Sequence, residues 1–392
     1  MYQALYRKWR PMSFDDVVSQ PHITTTLKNQ IKSGKTAHAY LFTGSRGTGK
    51  TTCARIFAKA INCLDPHDGE PCLECEICKD ADNGTLSDII EIDAASNSKV
   101  DDIRELREGV VYTPERCKYK VYIIDEVHML SAGAFNALLK TMEEPPPHVK
   151  FILATTEIHK VPATIVSRCQ HFDFHRIRNE DIVSRLMYIA SQEGFTLHED
   201  AAGMIARLSD GGMRDALSLL DQCVAYENDI TLDVVSSASG IAGRDYLFDI
   251  LEKIAEKDAA GALRVVDKLY DMSKDLKVLA GELLAQMRNV MIIKTIDNNK
   301  DLITCLPDEY ERLKALAERM KLDEILGDIN TLQECSERFA KSTSKRIELE
   351  MCIIKLCGAA QKAGATVQAS SGNAEITVLL NRITQLENAL KN

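Results

Sequence analysis

Three short apolar runs stand out in the first half of the chain, and each ends in polar or glycine-rich residues. Ala39 to Thr43 leads directly into Gly44-Ser45-Arg46-Gly47-Thr48-Gly49-Lys50-Thr51-Thr52, and the Ala, Ile and Phe residues that follow are spaced as a helix to about Ile61. Val121 to Ile124 ends in Asp125-Glu126, and Val149 to Ala154 ends in Thr155-Thr156. Between these two runs Ala134, Phe135, Leu138, Leu139 and Met142 mark the buried face of a helix that Pro145-Pro146-Pro147 stops. Strands that alternate with helices and end in polar residues predict a parallel α/β sheet flanked by helices, with its working edge at the strand C-termini.

After Phe174 the pattern changes to amphipathic helices, broken at Gly194, at Gly211-Gly212 and near Asn228, with no strand expected among them. From Asp245 onward the chain stays helical, with few glycines inside the helices. The expected organisation is an α/β domain over residues 1–178 with an insertion at 63–78, an all-α domain over 179–243 and a second all-α bundle over 244–363. A Gly-, Ala-, Ser- and Thr-rich stretch at 364–375 predicts a linker. Beyond it, over 376–392, Ile376, Leu379, Ile383, Leu386 and Leu390 form a seam of two heptads, long enough either to self-associate or to dock on another surface.

Composition narrows the class. A chain of 392 residues that is 45% hydrophobic and 27% charged can bury real cores. No apolar run approaches the roughly 18 residues of a membrane span, and the N-terminus lacks the apolar stretch of a secretory signal, so a cytoplasmic location is expected. The net charge of −10 argues against a surface that coats nucleic acid. Contacts with DNA are therefore expected only at local patches, Arg7-Lys8-Trp9-Arg10 and the neighbourhood of Lys99 and Arg104.

Gly44-x-x-x-x-Gly49-Lys50-Thr51 matches the Walker A pattern in full, in the strand-loop-helix context that gives it meaning. The glycines let successive backbone N–H groups face a phosphate at a helix N-terminus. Lys50 is expected to bridge the β- and γ-phosphates and Thr51 to ligate Mg²⁺. Asp125 and Glu126 close a strand where a Walker B pair belongs, Asp125 to hold Mg²⁺ and Glu126 to act as general base toward water. Thr155 or Thr156 is placed to donate toward the γ-phosphate or the water; the alternative for this pair is an ordinary β-branched strand end. ATP hydrolysis, and not binding alone, is the expected chemistry.

Twelve cysteines are unusual for a disulfide framework in so long a chain, and four of them, Cys63, Cys72, Cys75 and Cys78, fall within sixteen positions, which favours metal ligation. Four thiolates close a tetrahedral shell around Zn²⁺ and leave no position for water, so a structural zinc site is expected, with an iron–sulfur cluster as the competing assignment.

Ala4-Leu5-Tyr6-Arg7-Lys8-Trp9-Arg10-Pro11, Phe14-Asp15-Asp16-Val17-Val18, the Walker A loop, the cysteine insertion, Glu91-Ile92-Asp93-Ala94-Ala95-Ser96, Ile124-Asp125-Glu126-Val127-His128-Met129-Leu130 and Phe135-Asn136-Ala137-Leu138-Leu139-Lys140 together resemble the gamma/tau subunits of the bacterial DNA polymerase III clamp loader. The resemblance is dense from Met1 to about Leu220. It implies a P-loop AAA+ core, a helical lid and a helical oligomerisation collar. It also implies that Arg168, in Ser167-Arg168-Cys169, reaches in trans to a neighbour's γ-phosphate, and that Arg214, in Gly212-Met213-Arg214-Asp215, touches ATP from the lid.

Val17 and Val18 are implied to lie beside the adenine, and Trp9 either joins that wall or anchors its segment in the core. Ser98-x-x-Asp101 reads as a helix-capping box, and by the resemblance the same helix start faces DNA. The implied partners are further copies of this chain, the delta and delta-prime subunits, the ring-shaped sliding clamp (beta) and primed template DNA. The chain is thus implied to be part of the DNA-directed DNA polymerase complex without carrying a polymerase active site itself. The chain stops at Asn392, like the short form of the family, which leaves polymerase and helicase tethering without a matching segment. Ser19 stands where relatives commonly carry Gly. Two other classes compete: a different AAA+ remodelling ATPase, for which the four-cysteine insertion is unexpected, and a nucleotide-binding scaffold, against which the intact Lys50, Thr51, Asp125 and Glu126 speak.

Overall fold

A computed structural model describes residues 3–97, 100–240, 245–297, 302, 303, 305, 307–339, 342 and 344–358. The linker expected at 364–375, the heptad helix at 376–392, and Ser98 and Lys99 of the expected capping box and basic patch lie outside the described residues. The contacts divide the chain into two units, one up to Ser239 and one from Gly240. No described helix is long and apolar enough to cross a membrane.

The first unit runs α1 (Leu5–Lys8), α2 (Pro21–Ser33), β1 (Ala39–Gly44), α3 (Lys50–Asn62), α4 (Glu76–Asn83), β2 (Ile89–Asp93), α5 (Val100–Val110), β3 (Lys120–Asp125), α6 (Ala132–Glu143), β4 (Val149–Thr155), α7 (Ala163–Val166) and β5 (Gln170–Phe174). The five strands form one parallel sheet in the order β2-β3-β4-β1-β5. Such a sheet needs cover on both faces, which is why its central strands read as unbroken apolar runs. Tyr40, Phe42, Val121, Ile123, Ile152 and Ala154 point to the side of α2 and α3, where they pack on Ile23, Leu27, Ile56 and Phe57. Leu41, Tyr122, Ile124, Phe151 and Leu153 point the other way, against Ile103 and Leu106 of α5 and Ala134, Leu138 and Met142 of α6.

A helical region completes this unit: α8 (Asn179–Glu193), α9 (Glu199–Leu208), α10 (Met213–Tyr226) and α11 (Leu232–Ala238). The expectation of no strand here needs correction, because Thr196–Leu197 (β6) and Asp229–Ile230 (β7) pair in parallel. Two residues per strand are too few to show a period of two in the sequence.

The second unit is helical throughout its described residues, with α12 (Asp245–Ala255), α13 (Ala259–Asp271), α14 (Leu276–Thr295), α15 (Pro307–Arg319), α16 (Leu322–Arg338) and α17 (Lys345–Leu356). Twenty-residue α14 is its axis, buried at Leu276, Leu279, Ala280, Leu283, Met287, Val290 and Ile292, and its two buried amides, Gln286 and Asn289, hydrogen-bond each other at 3.2 Å. A helix buried on more than one side is expected to be the centre of a bundle.

Candidate functional site

The strand order builds the site. β4 lies between β1 and β3, with Thr43 opposite Thr155 and Ile124 opposite Leu153. The loop after β1, the acidic end of β3 and the threonines at the end of β4 therefore open on one edge, at the N-terminus of α3.

In the loop, Gly44, Gly47 and Gly49 all have positive φ, at 133°, 77° and 104°. Gly44 has no room for a side chain, since a Cβ there would stand 2.3 Å from the Phe174 carbonyl oxygen. Thr48 is buried and donates to the Ser45 carbonyl at 2.8 Å, pinning the turn. Lys50 is 5% exposed, and its Nζ donates to the Gly44 and Ser45 carbonyls, both at 2.8 Å. Burial lowers the Lys50 pKa, while Glu126 and Asp125 act in the opposite direction. An ammonium confined in this way is ready to exchange loop carbonyls for phosphate oxygens.

Thr51 Oγ1 donates to Asp125 Oδ2 at 2.6 Å. A hydroxyl and a carboxylate at this distance are hard oxygen donors of the kind Mg²⁺ takes. Glu126, at φ 48°, is a left-handed non-glycine residue, a strained geometry of the sort held in place at working sites. Its Oε2 accepts from the Thr156 backbone N–H at 3.2 Å and the Thr156 hydroxyl at 3.0 Å. Thr155 Oγ1 accepts from the Glu157 backbone N–H and lies 3.0 Å from His128 Nδ1. The two threonines thus do separate jobs, which the sequence left undivided.

The helical region reaches this edge through α10. Met213 N–H donates to the Gly47 carbonyl at 3.0 Å, and Gly212 packs on Gly47 itself. Arg214, one residue on, lies over the Tyr6 ring, 5.2 Å from its centroid. The N-terminal segment is held on both sides. Arg10 Nε donates to Thr52 Oγ1 at 3.1 Å, Trp9 Nε1 donates to Glu193 at 2.6 Å, and Ser19 Oγ donates to Asp181. Burial first, and then neighbouring Arg55, lower the Arg10 pKa to about 10. Val17 is half-buried against the α2–α3 side of the core and Val18 is half-buried beside it. Ser19 has φ 61°, a left-handed backbone that glycine adopts most freely.

Two residues that sequence reasoning passed over enter here. The sequence places Arg10 in a basic patch and a motif run, and His128 in a motif run, without a role for either at the site. His128 has a 6% exposed side chain between Glu126 and Glu157, 3.4 Å from a carboxylate oxygen of each. A histidine two positions after the acidic pair was the available signal. Arg168 stands apart from the cluster, bonded at 2.8 Å to both the Thr164 carbonyl and Glu143 Oε1.

The cysteine insertion packs at the far end of α3. Cys63, Cys72, Cys75 and Cys78, all free thiols, bring their sulfurs within 4.8 Å of one another, with three of the separations at 3.6, 3.9 and 4.0 Å. Zinc–sulfur bonds of about 2.3 Å in a tetrahedron require edges of ~3.8 Å, so the four thiols fit zinc. Backbone N–H groups of Cys72, Cys75 and Cys78 each point at a preceding cysteine sulfur, at 3.3 to 3.4 Å, an arrangement that favours thiolates. Burial raises the Cys72 thiol, but the N–H groups of Cys75 and Glu74 and the neighbouring thiols outweigh it and bring it to about 6.

Three family descriptions match consecutive stretches: the DNA polymerase III delta subunit over 19–178, the DNA polymerase III clamp loader subunit ATPase lid domain over 181–229, and domain III of DNA polymerase III subunits gamma and tau over 230–368. The chain is 43% identical over 387 residues to the DNA polymerase III subunit tau of Bacillus subtilis, covering 98% of this chain and 68% of that one. It is 40% identical over 318 residues to the gamma subunit of Buchnera aphidicola subsp. Schizaphis graminum, covering 81% and 87%, and 42% identical over 294 residues to the tau subunit of Escherichia coli, covering 75% and 46%. It therefore spans about two thirds of the Bacillus protein and less than half of the Escherichia one. Among solved structures, the Thermotoga maritima RuvB Holliday junction branch migration motor aligns with 18% identity and a TM-score of 0.46, over 70% of this chain and 85% of that one. By identity along almost its whole length, and by its lid and third-domain matches, the chain belongs to the gamma/tau family of DNA polymerase III clamp-loader subunits, AAA+ ATPases in kind.

Proposed function

We propose that this chain is a motor of a clamp loader, which binds and hydrolyses ATP to open a sliding clamp and release it on primed DNA. The observation that carries the reading is the convergence of Lys50, Thr51, Asp125, Glu126 and Thr155 on one sheet edge, with α10 docked on the loop. Gly44 to Thr52 take the phosphates, with Lys50 moving from the loop carbonyls to the β- and γ-oxygens. Thr51 and Asp125 would hold Mg²⁺, which would supply neutralisation of phosphate charge. Glu126 takes the proton of the attacking water at its carboxylate, and Thr155 offers its hydroxyl to the γ-phosphate side.

Arg214 senses ATP from the lid, Arg168 completes a neighbouring chain's site in trans, and Val17 and Val18 wall the adenine. The domains are an ATPase core over 1–178, a lid over 179–243 and a collar over 244–363 through which copies assemble. Zinc in the four-cysteine site is structural. The partners are other copies of this chain, delta, delta-prime, the sliding clamp and primed DNA, in the bacterial cytoplasm at the replication fork. The test is steady-state ATP hydrolysis by the chain reconstituted with delta and delta-prime. Strong stimulation only when clamp and primed DNA are both present is expected, and hydrolysis indifferent to them overturns the assignment of target.

A further inference from the structure

The four-cysteine insertion does more than fold on itself. Between Cys63 and Cys72 the chain makes a tight hairpin in which His67 and Glu70 exchange backbone hydrogen bonds at 3.1 and 2.8 Å, with Asp68 and Gly69 both at positive φ, 53° and 81°. Such paired left-handed residues give a two-residue turn whose shape is closely set. Its tip lies on α2, since a Cβ on Gly69 would stand 2.6 Å from the Lys28 carbonyl oxygen.

Glu70 turns inward from this hairpin, with its side chain 14% exposed. Its Oε2 accepts from the Phe14 N–H at 2.8 Å and its Oε1 from the Asp15 N–H at 3.1 Å. Lys28 pairs with Glu70 at 2.5 Å and also with Asp15, and so neutralises the carboxylate from the α2 side. Phe14 is 1% exposed, and its carbonyl accepts from the Val17 N–H at 3.2 Å. The segment from Arg10 to Gln20 is thus a strap with three anchors: Thr52 on α3, Asp181 and His175 at its C-terminal end, and Glu70 in the middle. The middle anchor holds the strap just before Val17 and Val18, as Ser19 and Gln20 hold it just after them, and it stands on a loop whose two ends are cysteines of the metal site.

We propose that Glu70 is a positioning residue for the nucleotide: it fixes the strap Phe14–Val18 and so links the cysteine insertion to recognition of the adenine. This rests on the reading of Val17 and Val18 as the adenine wall. Glu70 touches no phosphate-binding residue, so its effect falls on the base and spares the triphosphate. The full chain carrying Glu70→Ala would be titrated with ATP and, separately, with inorganic tripolyphosphate, both with magnesium. Zinc content and amide exchange at Phe14 and Asp15 would be measured alongside.

ATP affinity is expected to fall about tenfold, for two lost charge-assisted hydrogen bonds. Tripolyphosphate affinity should stay within about twofold, zinc should remain at one per chain, and the two amides should exchange faster. Glu70→Gln, which keeps an acceptor oxygen, should recover part of the loss and carries the test if the alanine variant does not fold. Equal losses for ATP and tripolyphosphate, or no loss for either, overturn the proposal. Val18→Asp separates it from the reading beneath it. If Val18→Asp lowers ATP affinity selectively and Glu70→Ala does not, Glu70 alone is misassigned. If Val18→Asp leaves the ratio of the two affinities unchanged, the adenine wall itself is misplaced.

Discussion

Gly47→Ala tests the coupling between loop and lid at its closest point. Gly47 has φ 77°, and a methyl there would stand 3.0 Å from Gly212 Cα and 3.3 Å from its carbonyl carbon. A left-handed alanine costs ~1–2 kcal/mol. Carbon pairs settle at about 3.5–4.0 Å, so the start of α10 must also retreat by roughly 0.5 Å. That retreat lengthens the 3.0 Å bond from Met213 N–H to the Gly47 carbonyl, a bond whose net worth is about 1 kcal/mol.

If about 2 kcal/mol of this falls on the closed, nucleotide-holding arrangement, the ATP dissociation constant rises ~30-fold. The assay is equilibrium titration with a non-hydrolysable ATP analogue, and Gly34→Ala is the control. Gly34 has a similar φ of 67° but nothing within 4 Å of an added Cβ, and it caps α2 away from the loop. It should lower thermal stability through the backbone cost alone and leave ATP affinity unchanged. Wild-type ATP affinity in Gly47→Ala, with the Gly34→Ala stability loss present, would refute the idea that loop and lid must meet without a side chain between them.

Three other predictions follow from single contacts. Lys50→Ala removes the buried ammonium at the loop and should reduce hydrolysis by ~10²–10³-fold and abolish ATP-supported clamp loading, with undiminished loading as the contrary result. Arg168→Ala should leave ATP binding intact and lower hydrolysis in the assembled complex by about 10³-fold; equal loss of binding would mean that its bonds to Glu143 and Thr164 hold the fold. Asp328, 8% exposed with Oδ2 unpaired, has its pKa pushed up to about 6 by burial, with Lys257 opposing and Glu324 adding to the rise. A raised acid favours the folded state at low pH, and the cost of ionisation develops from the unfolded value near 4 up to about 6. Asp328→Asn should therefore stabilise the second unit by on the order of 2 kcal/mol at pH 8 and by nothing at pH 3.5, read as the difference between melting curves at the two pH values.

The parts of the site legible in the sequence are those whose neighbours in space are neighbours in the chain. Lys50 and Thr51 follow β1 directly, Asp125 and Glu126 end β3, and the cysteines announce themselves by spacing. What joins them was not written locally. Thr155 reaches the site because β4 inserts between β1 and β3, a strand order that no single segment encodes. Thr155 and Thr156 looked equivalent until their backbone positions turned one hydroxyl to His128 and the other to Glu126. Glu70 was invisible for the same reason: its partners Phe14 and Asp15 are 56 and 55 residues away. Ser19 shows the converse, a position where the family resemblance implies glycine and the backbone has the positive φ that glycine favours.

His128 offers the last test, because its role follows from its neighbours. The Thr155 hydroxyl oxygen already accepts from Glu157 N–H, and its single proton has His128 Nδ1 within 3.0 Å. His128 Nε2 faces Glu157 Oε1 at 3.4 Å, and Nδ1 lies 3.4 Å from Glu126 Oε2 as well, so the ring sits among all three groups. In that arrangement His128 parks the Thr155 hydroxyl and borders the Glu126 carboxylate, without touching the phosphate loop. Truncation should loosen both groups while leaving the binding surface for ATP in place.

The prediction for His128→Ala is accordingly a fall in kcat of about tenfold with ATP affinity within about twofold, the pattern of an interaction that matters only on the way to the transition state. An unchanged kcat would show that Thr155 and Glu126 are held well enough by Glu157 and Thr156 alone. A loss of ATP affinity instead would show that the ring supports the end of β4 as a packing element, since Thr155 and His128 are both buried there.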